Sequence, residues 1–140
     1  MALIKATAVD ESFMARPRIG TFISSRDSQA PFGVPVWFDW NGSQIQLFSA
    51  RDAYKIRCLQ AGRAMTLLAH NLPDEPERWF SFEGRPEIRD DGAFELAERL
   101  AARYWDLTQP GHLKMLETWQ AHRDALCRVV LTPETIRTGQ

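Results

Sequence analysis

A group of hydroxyl and basic side chains near residue 50 has the types and spacing to bind a phosphate. Ser49, Arg51, Lys55 and Arg57 fall around the predicted start of a helix. Free backbone N–H groups and the positive end of the helix dipole favour an anion there. Arginine adds a planar fork of donors and lysine a point charge. The pattern predicts a local phosphate site; the alternative is a solvated helix face on which Lys55 pairs with Asp52.

The stretch before this group is predicted to be a strand pair. Residues 34–40 alternate as a strand with both faces covered, and residues 44–48 return as a second strand. The Asn41-Gly42 pair between them supplies the positive backbone angles of a tight hairpin. Because Pro35 has no amide hydrogen, we expect its strand to lie at a sheet edge or to be irregular there.

Tryptophan is abundant, with five residues among 140. Such side chains usually anchor a core or a subunit interface, and we interpret three of the five in this way. We interpret Trp37, on the first strand of the hairpin, and Trp79, at the start of a later strand, as walls of an aromatic pocket. The sequence thus predicts an aromatic surface beside a phosphate site.

The remaining pattern predicts the elements that position this hairpin. Further strands are predicted at residues 18–25, 63–70, 79–89 and 128–132, and helices at residues 9–15, 93–104 and 112–126. Asp10 or Ser12 would cap the first helix, and Asp52 the helix that follows the hairpin and stops at Gly62. The last two helices would cover one end of a barrel, with Met115, Leu116, Trp119 and His122 on the apolar side of the second. Gly84 would mark a bulge or close backbone approach, and the tail after residue 133 would be mobile.

Composition sets limits on the function. The chain of 140 residues is 44% hydrophobic, which suits a single domain over residues 1–140. A net charge of -1 and a pI near 6.3 give no general attraction to nucleic acid or anionic membranes. No apolar run is long enough to span a bilayer, so we expect a soluble, cytoplasmic protein. Neither a metal-ligand spacing nor a nucleophile motif occurs, and we expect Cys58 and Cys127 to be small buried residues.

Several short motifs occur in the order and spacing of one superfamily. They are PRIGT at residues 17–21, GVPVWF at 33–38, NG at 41–42, FSAR at 48–51, KIR at 55–57, RWFSFEGR at 78–85 and VVLTP at 129–133. Together they resemble the pyridoxamine 5'-phosphate oxidase-like superfamily, whose members are split β-barrels that bind FMN or a deazaflavin. The fold class this implies is mainly β with helices, a split barrel of about six antiparallel strands.

The same resemblance implies a homodimer with a cofactor at the subunit interface. It places Pro35, Val36 and Trp37 along the isoalloxazine ring, and Trp79 where a residue of the partner subunit approaches that ring.

The resemblance also assigns the phosphate to Ser49, Arg51 and Lys55, with Arg57 as a weaker candidate. Tyr54 stands where the oxidase itself has an arginine, which argues against pyridoxamine phosphate oxidation.

The function that follows is an FMN-dependent oxidoreductase acting on a small conjugated or quinone-like substrate. The flavin would carry out the redox chemistry, which explains why no catalytic residue is identified in the sequence. A deazaflavin coenzyme is an alternative for the same pocket. The alternative from another class is a non-catalytic module that binds a flavin or a haem, for which only His70 is placed to be an axial ligand.

Overall fold

The computed structural model describes residues 1–139. The strands in this range are β1 (Ala2–Ile4), β2 (Gly20–Ser24), β3 (Phe32–Val36), β4 (Asp39–Trp40), β5 (Ile45–Ala50), β6 (Met65–His70), β7 (Trp79–Gly84), β8 (Glu87–Arg89), β9 (Leu126–Leu131) and β10 (Thr135–Gly139). The α-helices are α1 (Glu11–Ala15), α2 (Tyr54–Gln60), α3 (Ala93–Tyr104) and α4 (Pro110–Ala121).

The strands form two antiparallel sheets. The six-stranded sheet has the order β1-β10-β7-β6-β2-β3, and the four-stranded sheet has the order β4-β5-β9-β8. The predicted split barrel is therefore confirmed. Because β3 is the last strand of its sheet, the expectation that Pro35 lies on an edge strand is also confirmed.

One hydrophobic core fills the space between the sheets. Along β2, β5 and β6 buried residues alternate with more exposed ones, as expected for strands with one face on a core. Phe22, Phe38 and Phe82 are fully buried at its centre. Phe38 packs directly against Gly20: a Cβ atom at residue 20 would lie 2.8 Å from Phe38 Cδ1. Only glycine therefore fits at that point of β2 without displacing the aromatic ring.

Residues 34–40 form two strands, so the prediction of one continuous strand is wrong. β3 pairs with β2 in the six-stranded sheet, whereas β4 pairs with β5 in the other. The chain changes sheets at Phe38, whose backbone N–H donates to the Tyr104 hydroxyl at 3.3 Å. That hydroxyl in turn donates to the Arg18 carbonyl oxygen at 2.7 Å. A distant side chain thus replaces the ladder hydrogen bonds at this corner.

Residues 79–89 also divide between the sheets, and the prediction of one long strand there is likewise wrong. β7 belongs to the six-stranded sheet and β8 to the four-stranded sheet. The predicted close approach at Gly84 is confirmed, because a Cβ atom there would lie 3.1 Å from the backbone nitrogen of Glu134.

The hairpin turn differs from the prediction in one residue. Gly42 has a φ of 96°, as expected, but Asn41 does not have a positive φ. Instead the Asn41 side-chain oxygen accepts hydrogen bonds from the backbone N–H groups of Ser43 (3.0 Å) and Gln44 (2.7 Å). Asparagine stabilises the turn through this side-chain bond rather than through its backbone angle.

The helix caps are partly as predicted. Asp10 caps α1 by accepting hydrogen bonds from the backbone N–H groups of Ser12 (3.0 Å) and Phe13 (3.2 Å). Asp52 does not cap α2; the residue at that position is Ala53, which provides no side-chain hydrogen bond. α2 ends before Gly62, which has a φ of 83°, as expected for a helix stop.

Residues 135–139 form strand β10, which contradicts the prediction of a mobile tail after residue 133. β10 pairs with β7 on one side and β1 on the other. Arg137 forms an ion pair with Glu83 at 3.0 Å. Only Ile136 of this strand is buried, so the sequence carries little hydrophobic signal for it.

The predicted helical pair is present, but its two members pack very differently. α3 buries six residues, among them Phe94, Leu96 and Leu100. α4 has no fully buried residue; Leu116 and Trp119 pack on the small cluster around Phe94. The prediction that Met115 and His122 belong to the apolar side of α4 is wrong, because both are exposed.

Both cysteines, Cys58 and Cys127, are free and buried. Among residues 1–139, no helix has the length and hydrophobicity needed to cross a membrane.

Candidate functional site

A pocket of about 260 Å³ opens between the end of β3, the middle of β5, the start of α2 and the helical pair. Its lining residues are Pro35, Val36, Trp37, Phe48, Lys55, Trp105 and Trp119. We call it the tryptophan pocket. It brings together four of the residues predicted from the sequence: the three assigned to a ring system and one assigned to a phosphate.

The backbone explains why three consecutive residues reach this pocket. Pro35 and Val36 are the last residues of the edge strand β3, so one side of their backbone has no neighbouring strand. Trp37 follows at the corner where the chain leaves the sheet. The edge strand and the corner together bring Pro35, Val36 and the large Trp37 side chain to the same pocket.

Trp37 is fixed in place by other aromatic rings. Its ring is parallel to that of Tyr104, with centroids 5.2 Å apart and an interplanar angle of 4°. The Trp105 ring meets it edge-on at 4.7 Å and 88°. Phe48 and Trp119 complete the cluster, with centroids 6.3 Å and 6.2 Å from that of Trp37. Such stacked and edge-to-face pairs stabilise the packing of the pocket walls.

Sequence reasoning missed most of this cluster. From the sequence, Trp105 and Trp119 are interpreted as core or interface anchors, and no site role is predicted for Phe48 or Tyr104. The available signal was the high tryptophan content. No spacing rule connects residue 37 with residues more than 60 positions further along the chain, so their convergence depends on the tertiary fold.

Lys55 is the positive group of the tryptophan pocket. Its side chain is half-buried, and burial lowers the pKa of its ammonium group. Within residues 1–139, no hydrogen bond or ion pair to this ammonium group is found, so the alternative pairing with Asp52 is wrong. A partly desolvated cation without a counter-charge favours the binding of an anion.

Arg51 makes contacts of its own outside this pocket. Its guanidinium forms an ion pair with Asp90, and its Nε donates to the Asp124 carbonyl oxygen at 2.7 Å. The hydrogen bond with Asp90 is the main reason that the pKa of Arg51 is raised. To reach a phosphate beside Lys55, Arg51 would have to give up these partners.

Ser49 and Arg57 point away from the tryptophan pocket. Ser49 is buried on the opposite face of β5 from Phe48, and its hydroxyl donates to the Ala50 carbonyl oxygen at 2.9 Å. Arg57 lines a different pocket, with its guanidinium carbon 5.4 Å from the centroid of the Tyr54 ring.

Trp79 lies on the six-stranded sheet, away from Trp37. Its indole packs over Gly139, where an added Cβ atom would be 2.5 Å from Trp79 Nε1. Together with His70 it lines a separate, largely apolar pocket of about 440 Å³. A single chain therefore does not bring Trp79 or His70 to the tryptophan pocket.

The comparisons with known proteins identify the fold. No protein-family model and no curated protein matches the sequence. Among solved structures, an F420 reductase is 25% identical, with a TM-score of 0.73 over 91% of this chain and 94% of that chain.

Two further structures are more distant in sequence. A protein from Listeria innocua described as a pyridoxamine 5'-phosphate oxidase is 13% identical, with a TM-score of 0.64 over 91% of this chain and 93% of its own. An FAD and haem binding protein from Mycobacterium smegmatis is 16% identical, with a TM-score of 0.64 over 91% of this chain and 68% of its own. The fold is the split barrel of the pyridoxamine 5'-phosphate oxidase-like superfamily, as the sequence motifs implied.

Proposed function

We propose that this protein is an oxidoreductase that binds a flavin-type cofactor in the tryptophan pocket. The observation that supports this most strongly is the position of Lys55 on the wall of an aromatic pocket: its ammonium group is half-buried and has no counter-charge among residues 1–139. A flavin-type cofactor offers the complementary pair, a flat conjugated ring and a phosphate.

The residues present fit such a group. Trp37, Trp105 and Trp119 provide apolar aromatic walls for a ring, and Pro35 and Val36 of the edge strand line the same pocket. Lys55 would hold the phosphate through a charge-assisted hydrogen bond. When bound, the ring supplies hydride or electron-pair transfer, while the protein binds it, orients it and excludes water. We propose a small conjugated or quinone-like molecule as substrate.

FMN is the first candidate for this cofactor. Its phosphate would be held by Lys55, and by Arg51 if that residue exchanges Asp90 for the ligand. A deazaflavin is the second candidate. The observation that favours it is the similarity to an F420 reductase at 25% identity over 91% of the chain.

We further propose that the protein is a homodimer with the cofactor at the subunit interface. The tryptophan pocket is open on one side in a single chain, and Trp79 lies on a separate surface. A second copy would bring its Trp79 towards the ring and complete the pocket. Light scattering during gel filtration tests this: we expect twice the chain mass of 16.0 kDa, and a mass of one chain would contradict the proposal.

A titration tests the cofactor proposal. Purified protein is added to FMN and, separately, to F420, and the cofactor's own fluorescence is followed. Saturable quenching by one of them supports the proposal and identifies the ring type. If neither is quenched, while haem gives an intense Soret band, the protein is a haem-binding module and the proposal is wrong.

A further inference from the structure

Another pocket of about 260 Å³ lies on the opposite side of α2 from Lys55. Its lining residues are Arg26, Asp27, Gln29, Tyr54, Arg57, Cys58, Ala61 and Arg63. We call it the arginine pocket. Residues 55 and 57 are two positions apart in the helix, so their side chains point about 200° away from each other. The two pockets therefore share a helix but not a surface.

Positive charge is concentrated in the arginine pocket. Three guanidinium groups line it, against one carboxylate, in a chain whose net charge is -1. Arg63 pairs with Asp27 at 2.8 Å, and the Asp27 side chain is 89% exposed. Arg26 and Arg57 have no carboxylate partner among residues 1–139. Two positive charges thus remain without a counter-charge at one place on the surface.

Contacts with aromatic rings hold these two arginines on the pocket wall. The Arg26 guanidinium carbon lies 5.9 Å from the centroid of the Tyr54 ring, and the Arg57 guanidinium carbon lies 5.4 Å from it. Nε of Arg26 also donates to the Ala30 carbonyl oxygen at 2.8 Å. Because these contacts already restrict the side chains, less conformational entropy is lost when an anion binds.

We propose that the arginine pocket binds a dianionic group, such as a phosphate monoester or a diphosphate carried by a small molecule. Arg26 and Arg57, which have no counter-charge in the described part of the chain, match its charge, and their planar forks suit bidentate contact with phosphate oxygens. The exposed Asp27 contributes little to holding Arg63, so Arg63 can turn to the same anion. This site is distinct from the cofactor site proposed above and does not depend on it.

The experiment uses inorganic phosphate and pyrophosphate as probes, at constant ionic strength because salt screens such contacts. Chemical-shift changes of the backbone amides of the full chain are followed during each titration. We expect saturable changes at residues 26–31, 54, 57 and 63. Arg57→Ala and Arg26→Ala should each weaken pyrophosphate binding by up to about fivefold.

Two control variants distinguish binding in the arginine pocket from binding elsewhere on the protein. Arg89→Ala removes an exposed arginine on β8, far along the chain from the pocket, and should leave binding unchanged. Lys114→Met removes an exposed lysine on α4 and should also leave it unchanged. Loss of pyrophosphate binding in Lys55→Met but not in Arg57→Ala would show that the anion binds in the tryptophan pocket and would overturn the proposal. Chemical-shift changes that do not saturate would also overturn the proposal.

Discussion

Replacing Lys55 with methionine separates cofactor binding from folding. A charge-assisted hydrogen bond contributes about 1.5 to 3 kcal/mol, and about 1.4 kcal/mol corresponds to a factor of ten in Kd. We therefore expect Lys55→Met to weaken binding of the preferred cofactor roughly 10-fold to 150-fold. Methionine has a similar length and needs no hydration, so it can occupy the half-buried position of residue 55.

The same variant should not lose stability. Burial lowers the pKa of the Lys55 ammonium group, which means that the folded state disfavours its charged form. Since no partner compensates this within residues 1–139, removing the charge should leave the free energy of unfolding unchanged or raise it. Affinity is measured by fluorescence titration and stability by urea denaturation.

Two matched variants make the result specific. Lys114→Met removes an exposed lysine on α4 and should change neither quantity. Arg51→Ala breaks the contacts with Asp90 and Asp124; we expect a smaller loss of affinity than for Lys55→Met. If Lys55→Met binds the cofactor as tightly as the wild type, the assignment of the phosphate to Lys55 is refuted.

Three further predictions concern the fold. Gly20→Ala should overpack the core and lower the free energy of unfolding by about 1 to 3 kcal/mol in urea denaturation. Gly33→Ala should be tolerated, because a Cβ atom added there has only one neighbour within 4 Å, at 3.8 Å. Equal losses of stability in the two variants would contradict this packing. The hydrogen bond from Arg18 lowers the pKa of Glu75 from 4.5 to about 2, so this carboxylate contributes its stability above about pH 4.5 and loses it as the pH falls towards 2. Melting temperatures should show Glu75→Gln less stable than wild type at pH 7, with a difference that shrinks at pH 3; a constant difference would refute the linkage. Asp10→Ala removes a helix cap and should lower the free energy of unfolding by about 1 kcal/mol. A midpoint of urea denaturation equal to that of the wild type would contradict the capping role.

The sequence predicted the barrel well because its strands follow simple alternation. β2, β5 and β6 have one buried face each, and the motif order matched a known split barrel. The corners were missed for a physical reason. Alternation continues without a break through Trp37 and Phe38, and the hydroxyl of Tyr104, 66 positions away, takes the backbone hydrogen bond of Phe38 at that point.

For the site, the periodicity of strand and helix indicates which side chains share a face. The assignment of the phosphate residues from motifs did not take this periodicity into account. Phe48 and Ser49 are neighbours in a strand, so their side chains point to opposite faces, and the structure places only Phe48 in the tryptophan pocket. Lys55 and Arg57 are likewise on opposite sides of a helix. The predicted phosphate set thus could not converge within one chain. No local sequence pattern predicts that Trp105 and Trp119 line the pocket, because their position depends on where the helical pair packs.

The central claim is that a flavin-type cofactor binds in the tryptophan pocket with its phosphate at Lys55. A crystal structure of the protein grown with saturating FMN or F420 tests it most directly. We predict the ring beside Val36 and Trp37 and a phosphate oxygen about 2.8 Å from Lys55 Nζ. A ring seated in the pocket of Trp79 and His70 of the same chain, or crystals without bound cofactor at saturating concentration, would contradict the account.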